Sequence, residues 1–530
     1  MPTQVGLSYK QHPPTGQFDA IVIGSGMGGL AAAALLAKHG SKRVLVLERH
    51  YTVGGYTHVF RRPDYEWDVG IHYIGQVHDP RSEARRLFDD ITNNNLTWAP
   101  MPQVYDRIII SNRAYDLVAG ADRFRESLQG NFPQESRAIA KYLGIVRACN
   151  RRSALYFMDK VIPAPLARII GPLMRAPFLR YARQTTLDVL RGLTSDRELI
   201  AVLTGQYGDY GLPPAQSSFA MHATVVAHYL EGAAYPVGGA ARIAATVVPV
   251  IEAAGGTVLI NAEVQGILVE QNRAAGVRMT DGRELRAPII ISDAGVANTF
   301  GRLLPKDVVG RMGMGEMVAT LRPSVAHLCL YVGLKHTAEE LGLTGTNLWI
   351  YPDPDHDGNF ARFLGDPEAP FPSVYISFPS AKDPSFQDRF PSRGTIEVIV
   401  LAPYEWFEPW AATQWKHRGA EYEDFKARFA DRLLEQLYMH VPQVRGKVDY
   451  SELSTPLSTQ HFSGHPRGEM YGLGHMPERF RVRLRSQTPL RGLYLTGQDL
   501  AMAGVVGALY GGVMCASAVL KRNLLKEIRR

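Results

Sequence analysis

The chain has 530 residues, 45% of them apolar and 21% charged, an ordinary globular composition that argues against disorder or a fibrous repeat; about 150 residues per domain suggests roughly three units, fewer if two domains interleave. The 58 basic and 51 acidic residues leave a formal charge of +7, which favours anionic surfaces, but no Lys/Arg-rich run with interleaved aromatics and no zinc-finger or RNA-binding signature is present, so membrane headgroups are expected as partners and nucleic acid is not. Cys149, Cys329 and Cys515 lie too far apart to argue a disulfide framework or a redox pair, and the first 17 residues lack a signal-peptide core, so the expected location is cytoplasmic with peripheral membrane association.

The stretch FDAIVIGSGMGGLAAAALLAKHGSKRVLVLERH predicts strand, turn, helix and strand in that order. Ala20 to Ile23 is a short apolar run suited to a buried parallel strand. Gly24, Gly26 and Gly29 complete G-x-G-x-x-G: the first permits the turn, the second lets backbone approach a pyrophosphate, and the third allows close helix–strand packing. The alanine-rich helix aims its free N–H groups and the positive end of its dipole at the phosphates, and it is expected to stop at Gly40 in a left-handed cap. Val44 to Leu47 form the next strand. Glu48 at its end stands where an acid hydrogen-bonds ribose hydroxyls, which favours FAD or NAD over NADP.

Past the acid, Gly54-Gly55 and the stretch from Tyr65 to Gly75, with Gly70 inside it, make a long glycine-rich excursion. Further on, Tyr235 to Gly239 predict a turn, Ala240 to Ala254 a helix, and Thr257 to Ile260 and Ala262 to Val269 strands. Ile289 to Ser292 form another strand, followed by Asp293-Ala294-Gly295. Near the far end, a short apolar strand runs into Gly497 and Asp499. The small-residue-rich helix after it, with Gly504 and Gly507 near its start, is too short and glycine-rich to be read as membrane-spanning.

These stretches, together with STPLSTQHFSGHPRGEMYGLGH at 454–475, resemble the FAD-dependent retinol saturase, carotenoid isomerase and phytoene desaturase family over nearly the whole chain. GIHYIG at 70–75 and MYGLGH at 470–475 look most like retinol saturase and its bacterial relatives. The resemblance implies an α/β fold in which a Rossmann-type FAD-binding domain is interleaved with an α+β substrate domain, as in amine oxidases and phytoene desaturases. It assigns 18–110, 231–300 and 485–525 to FAD, and 111–230 and 301–484 to the substrate and membrane side. It further implies FAD contacts by Gly24, Gly26, Gly29, Glu48, Gly54, Gly55, Gly70, Gly497, Asp499 and Gly507, with the adenine beside the backbone of Val264.

The implied chemistry is flavin-dependent reduction of a carbon–carbon double bond in a lipophilic polyene or isoprenoid. Desaturation or cis–trans isomerisation are the alternatives. GRMGMG at 310–315 follows no apolar strand, so no second nucleotide domain is expected and electrons pass to or from an external partner. His72, Tyr73, Tyr471 and His475 sit in the two most family-like stretches and are the candidates for lining the flavin and moving a proton. A competing function from another class is a flavin-free lipid escort resembling Rab GDP-dissociation inhibitors, against which the full set of glycines, Glu48 and Asp499 argues.

Residues 151–190 mix large apolar residues with Arg151, Arg152, Lys160, Arg168, Arg175, Arg180 and Arg183 and are broken by prolines. Such a segment suits broken amphipathic helices on a headgroup surface. HFSGH at 461–465 has the spacing of a metal pair on a helix, but Gly464 and Pro466 are expected to prevent a helix there and no third ligand follows, so no metal site is expected.

Overall fold

The structure is a computed structural model that describes residues 5–529. Its first sheet has six strands, in the order 7–8, 257–260, 44–47, 20–23, 289–292 and 493–495, all parallel. Successive residues of a strand face opposite sides, and the sequence exploits this. Ala20, Val22, Val44, Val46 and Ile291 face the helices Met27–Gly40, Ala241–Ala253 and Gly504–Leu520. Ile21, Ile23, Leu45, Leu47 and Ile290 face an antiparallel meander of three strands, Val264–Glu270, Arg273–Met279 and Glu284–Arg286. Sheet strands drawn from both ends and the middle of the chain give the doubly covered α/β architecture the sequence implied.

The helix Met27–Gly40 is buried on nearly all sides because it lies between the sheet and the C-terminal helix. A Cβ on Gly512 would stand 2.6 Å from that of Ala31, so only small residues let the two helices pack this closely. The left-handed cap falls on Ser41 (φ 47°), not on Gly40. Gly40 instead makes room for Leu520, whose side chain would meet a Cβ there at 2.7 Å.

A second, seven-stranded sheet runs in the order 448–454, 326–334, 394–402, 374–377, 347–351, 104–110 and 113–118. The strand Val104–Ile110, expected in the dinucleotide unit, pairs parallel with Asn347–Tyr351 and belongs here. Alternation again sorts side chains: Leu328, Leu330, Val332, Ile396, Val398 and Val400 pack under the helix Ala420–His440. His327, Tyr331, Glu397 and Ile399 project from the opposite face.

Helices between 121 and 229 close that side. Within them, Leu155, Leu166, Ile169 and Leu173 stand exposed, Ile169 and Leu173 by 77% and 78%. Arg151, Arg152, Arg168, Arg180 and Arg183 of the same segment are exposed as well. Lys160 and Arg175, also expected at the headgroups, turn inward: Lys160 Nζ donates to the Leu500 carbonyl at 2.7 Å, and Arg175 is half-buried, 3.4 Å from Asp159. Among the described residues no helix is long and apolar enough to cross a membrane.

A helix forms at Pro456–Ser463 and takes in the first three residues of HFSGH but does not span the motif. Gly464 terminates it in a left-handed cap (φ 75°), which leaves His465 beyond its end. His461 stacks on Trp415 with ring centroids 5.1 Å apart.

Candidate active site

The C-terminal ends of the parallel strands open onto a cavity of about 780 Å3, whose other walls are the 454–475 stretch and the inner face of the second sheet. Open α/β sheets bind ligands at this end.

Glu48 anchors one wall. Its Oε2 accepts from the Ser25 backbone N–H at 2.8 Å and the Ser25 hydroxyl at 2.7 Å, and its Oε1 accepts from the His50 N–H at 2.8 Å. Oε2 is thereby filled, while Oε1 keeps acceptor capacity for a further hydroxyl. The helix at Met27 starts with no cap from its N-cap residue and no acid in its first turn; the Gly26 and Gly29 N–H groups hold Asp293, which leaves those of Met27 and Gly28 for an anion.

Asp293 lies beneath the glycine turn, where a Cβ on Gly26 would stand 2.5 Å from its Oδ2. Burial above all, and then Glu48 and Asp499, push its pKa up to about 8. The shift favours the neutral acid, which lessens the negative charge under a diphosphate. With this uncapped helix end and an open glycine turn, the residues present fit a dinucleotide.

Gly24, Gly54, Gly55, Gly70, Val264, Gly497 and Asp499 line the same cavity. Asp499 spends both carboxylate oxygens on backbone: Oδ2 accepts from Val296 N–H and Oδ1 from Leu473 N–H, each at 2.8 Å. It thereby fixes two loops that border the cavity. Gly29 and Gly507 are not on the cavity wall. A Cβ on Gly29 would meet the Gly24 carbonyl at 2.4 Å, which is the helix–strand packing role expected of it; one on Gly507 would meet the Met502 carbonyl at 2.0 Å, so that glycine, expected at the cofactor, serves the start of the helix Gly504–Leu520.

The four proton-moving candidates separate. His72 and Tyr471 line the cavity, and the Tyr471 hydroxyl donates to the Gly208 carbonyl at 3.1 Å. Tyr73 points away: its hydroxyl reaches Asp106 at 2.8 Å and Asp209 at 3.1 Å, and its ring stacks on Tyr229 with centroids 4.3 Å apart. His475 is fully buried outside the cavity wall. Burial and Arg479 hold it well below the ordinary histidine range, so it is a neutral core residue.

Two cavity neighbours escaped the sequence reading. His327, at the start of the strand Ala326–Leu334, lines the cavity, and burial first, then His72, lower its pKa to about 4. Glu397, fully buried in the strand Gly394–Ala402, lies 2.8 Å through Oε2 from His72 Nδ1. The signal was there: GTIEVIVLA carries one charge inside a run that is otherwise apolar, and such a charge is buried only with a partner.

A family model described as an NAD(P)-binding Rossmann-like domain matches residues 22–91. All-trans-retinol 13,14-reductase of Danio rerio is 40% identical over 529 residues, spanning 96% of this chain and 87% of its own. A chloroplastic prolycopene isomerase of Arabidopsis thaliana is 28% identical over 95% of this chain and 82% of its own. Among solved structures, a putrescine oxidase bound to putrescine superposes with a TM-score of 0.61 at 17% identity, over 96% of this chain and all of that one, a likeness of fold. The resemblance met in the sequence is thus borne out over almost the full length, and the chain belongs to the all-trans-retinol 13,14-reductase family of oxidoreductases.

Proposed function

We propose that this protein is an FAD-dependent reductase that saturates a carbon–carbon double bond of a lipophilic, retinoid-like polyene. The observation that carries it is the single cavity of about 780 Å3, in which the glycine turn and Glu48 meet a wall of Phe60, Tyr331, Ile399, Met470 and Tyr471. A dinucleotide and an apolar chain can lie side by side there.

On this reading, Glu48 holds the ribose, the turn from Gly24 to Gly28 holds the pyrophosphate, and the backbone of Val264 borders the adenine. Gly54, Gly55, Gly70 and Gly497 leave room for the ribityl chain and flavin ring, and Asp499 fixes the surrounding loops. Bound FAD supplies a hydrogen with its electron pair, and an external reductant renews it. The unit of 18–110, 231–300 and 485–525, less the strand Val104–Ile110, holds the cofactor. The remainder faces the substrate.

The purified protein should be yellow. Incubated anaerobically with polyenes and a reductant, it should add two hydrogens by mass. Loss of two hydrogens would identify a desaturase. The kinship to prolycopene isomerase favours isomerisation as the second reading, recognised by altered double-bond geometry at unchanged mass that still requires reduced flavin. A colourless protein that cannot be reconstituted with FAD would return the lipid escort.

A polyene is easier to collect from a bilayer than from water, and the exposed Ile169 and Leu173, in a segment that also carries exposed arginines, suit an anionic membrane surface. The protein should float with anionic liposomes at low salt. Each of these side chains is worth roughly 1.5–3 kcal/mol when buried. The double variant I169D/L173D should therefore weaken liposome binding by about a hundredfold or more while leaving the circular dichroism spectrum unchanged.

A further inference from the structure

We propose that His72 and Glu397 form the proton-delivering pair of this site, His72 donating through Nε2 to the substrate carbon and Glu397 acting as the positioning residue that replaces the proton at Nδ1. The inference deepens the proposed double-bond reduction and rests on it.

The geometry places the two groups in series. His72 is part of the cavity wall, 18% exposed, and its Nδ1 is 2.8 Å from Oε2 of Glu397, which has no exposure at all. The approach is bent, as acid–base pairs in unliganded sites commonly are. Glu397 therefore meets the cavity only through the imidazole. Lys382 stands behind them: its Nζ donates to the His72 carbonyl at 2.9 Å and to the Ser377 hydroxyl at 2.7 Å, and it also reaches Asn347 Oδ1. That contact pins the His72 backbone and supplies a positive charge near the carboxyl.

The remaining ionisable neighbours are Asp68, Tyr235, His327, Cys329, Tyr331 and Tyr375. Burial pushes Glu397 up to about 8, with Lys382 opposing. Burial and then Lys382 bring His72 down to about 3. Burial thus favours a carboxylic acid beside a neutral imidazole. The acid's proton occupies the Nδ1 side, so the imidazole carries its own proton on Nε2.

The step balances as follows. The double bond opens; one carbon gains a hydrogen with its electron pair from the reduced flavin, and the other gains the Nε2 proton of His72. As the Nε2–H bond breaks, the Glu397 proton moves to Nδ1. The substrate has gained two hydrogens and the flavin has returned to its oxidised form. His72 remains neutral in the other tautomer, and the carboxylate left on Glu397 is stabilised by the Lys382 ammonium. Solvent restores the missing proton before the next turnover. An isomerase would need no such net delivery.

The test uses full-length protein reconstituted with FAD, as wild type, E397Q and H72N. Flavin content, all-trans-retinol binding followed by fluorescence quenching, and the anaerobic reoxidation of photoreduced flavin by all-trans-retinol are measured between pH 6 and 10. Nitrogen-15 histidine spectra, with the His72 signal assigned by its loss in H72N, report the tautomer independently of turnover.

The expected result is that E397Q and H72N keep flavin and retinol but reoxidise at least a hundredfold more slowly, within the range general acids contribute. The wild-type rate should fall as pH rises through about 8 and the residual E397Q rate should not, while E397Q shifts the His72 nitrogen signals. A full reoxidation rate in either variant overturns the pair and leaves the proposed reductase standing. If wild-type reduced flavin is not reoxidised by retinol, the functional reading for that substrate fails instead; a His72 signal unmoved by E397Q then overturns the pair as well. Should E397Q not fold, a full rate in H72N, altered on the cavity wall, still decides against it.

Discussion

Replacing Gly26 by valine is expected to give a folded protein that has lost its flavin. The backbone at this position (φ −61°, ψ 172°) is one that any residue adopts, so the glycine is required for space. A Cβ would stand 2.5 Å from Asp293 Oδ2. That carboxyl is half-buried and held by the backbone of the same turn, which limits its freedom to yield. On the other side, Gly55 packs so closely that its own Cβ would stand 3.0 Å from Gly26 Cα. The two added methyl groups are left with the space in which the pyrophosphate is proposed to lie. FAD affinity should fall at least about a hundredfold, a penalty of roughly 3 kcal/mol, with Gly26→Ala between wild type and valine. Circular dichroism should be unchanged, because Gly26 precedes the helix and does not interrupt it. Retained yellow colour after gel filtration of the valine variant would show that the cofactor lies elsewhere.

The parts of the site that sequence revealed are those built by neighbours in the chain. The glycine turn, the helix from Met27 and Glu48 are read from one stretch of about thirty residues because the strand-turn-helix-strand unit is itself the binding element. Gly497 and Asp499 were legible for a related reason: they repeat the pattern of a strand ending in glycine and acid. Side-chain direction in irregular backbone was not legible. His72 and Tyr73 are adjacent, yet one lines the cavity and the other turns to Asp106 and Asp209. His475 shares the glycine-rich stretch of Tyr471 but is turned into the core. Glu397 stands 325 residues from His72, and nothing local announces that the strand Gly394–Ala402 runs behind the GIHYIG stretch. Sheet order in the seven-stranded sheet joins strands far apart in the chain, and for the same reason the strand Val104–Ile110 was placed in the wrong unit.

Asp499→Ala should cost both stability and cofactor. The carboxylate is 5% exposed and is the acceptor for two backbone N–H groups, those of Val296 and Leu473. Alanine leaves both donors buried without it, at roughly 1–3 kcal/mol each. It also removes a negative charge facing Arg479, whose guanidinium is held below its ordinary range by burial while Asp499 counteracts that shift. Arg479 donates to the Asp499 backbone carbonyl at 2.8 Å, so this second effect is the smaller of the two. These terms overlap, so a loss on the order of 4 kcal/mol is expected and, for a chain of 530 residues, a fall in Tm of roughly 4 °C. Asp499→Asn keeps one acceptor but turns an N–H toward the other donor, and should fall between alanine and wild type. The functional effect follows from location: Ala294, Gly295, Tyr471 and Gly472, on the two loops that Asp499 ties, all line the cavity. Their release should weaken FAD as well, so that added FAD raises the Tm of the alanine variant less than that of wild type at equal concentration. An alanine variant that matches wild type in Tm and in its response to FAD would mean that Asp499 does not hold the two halves of the site together.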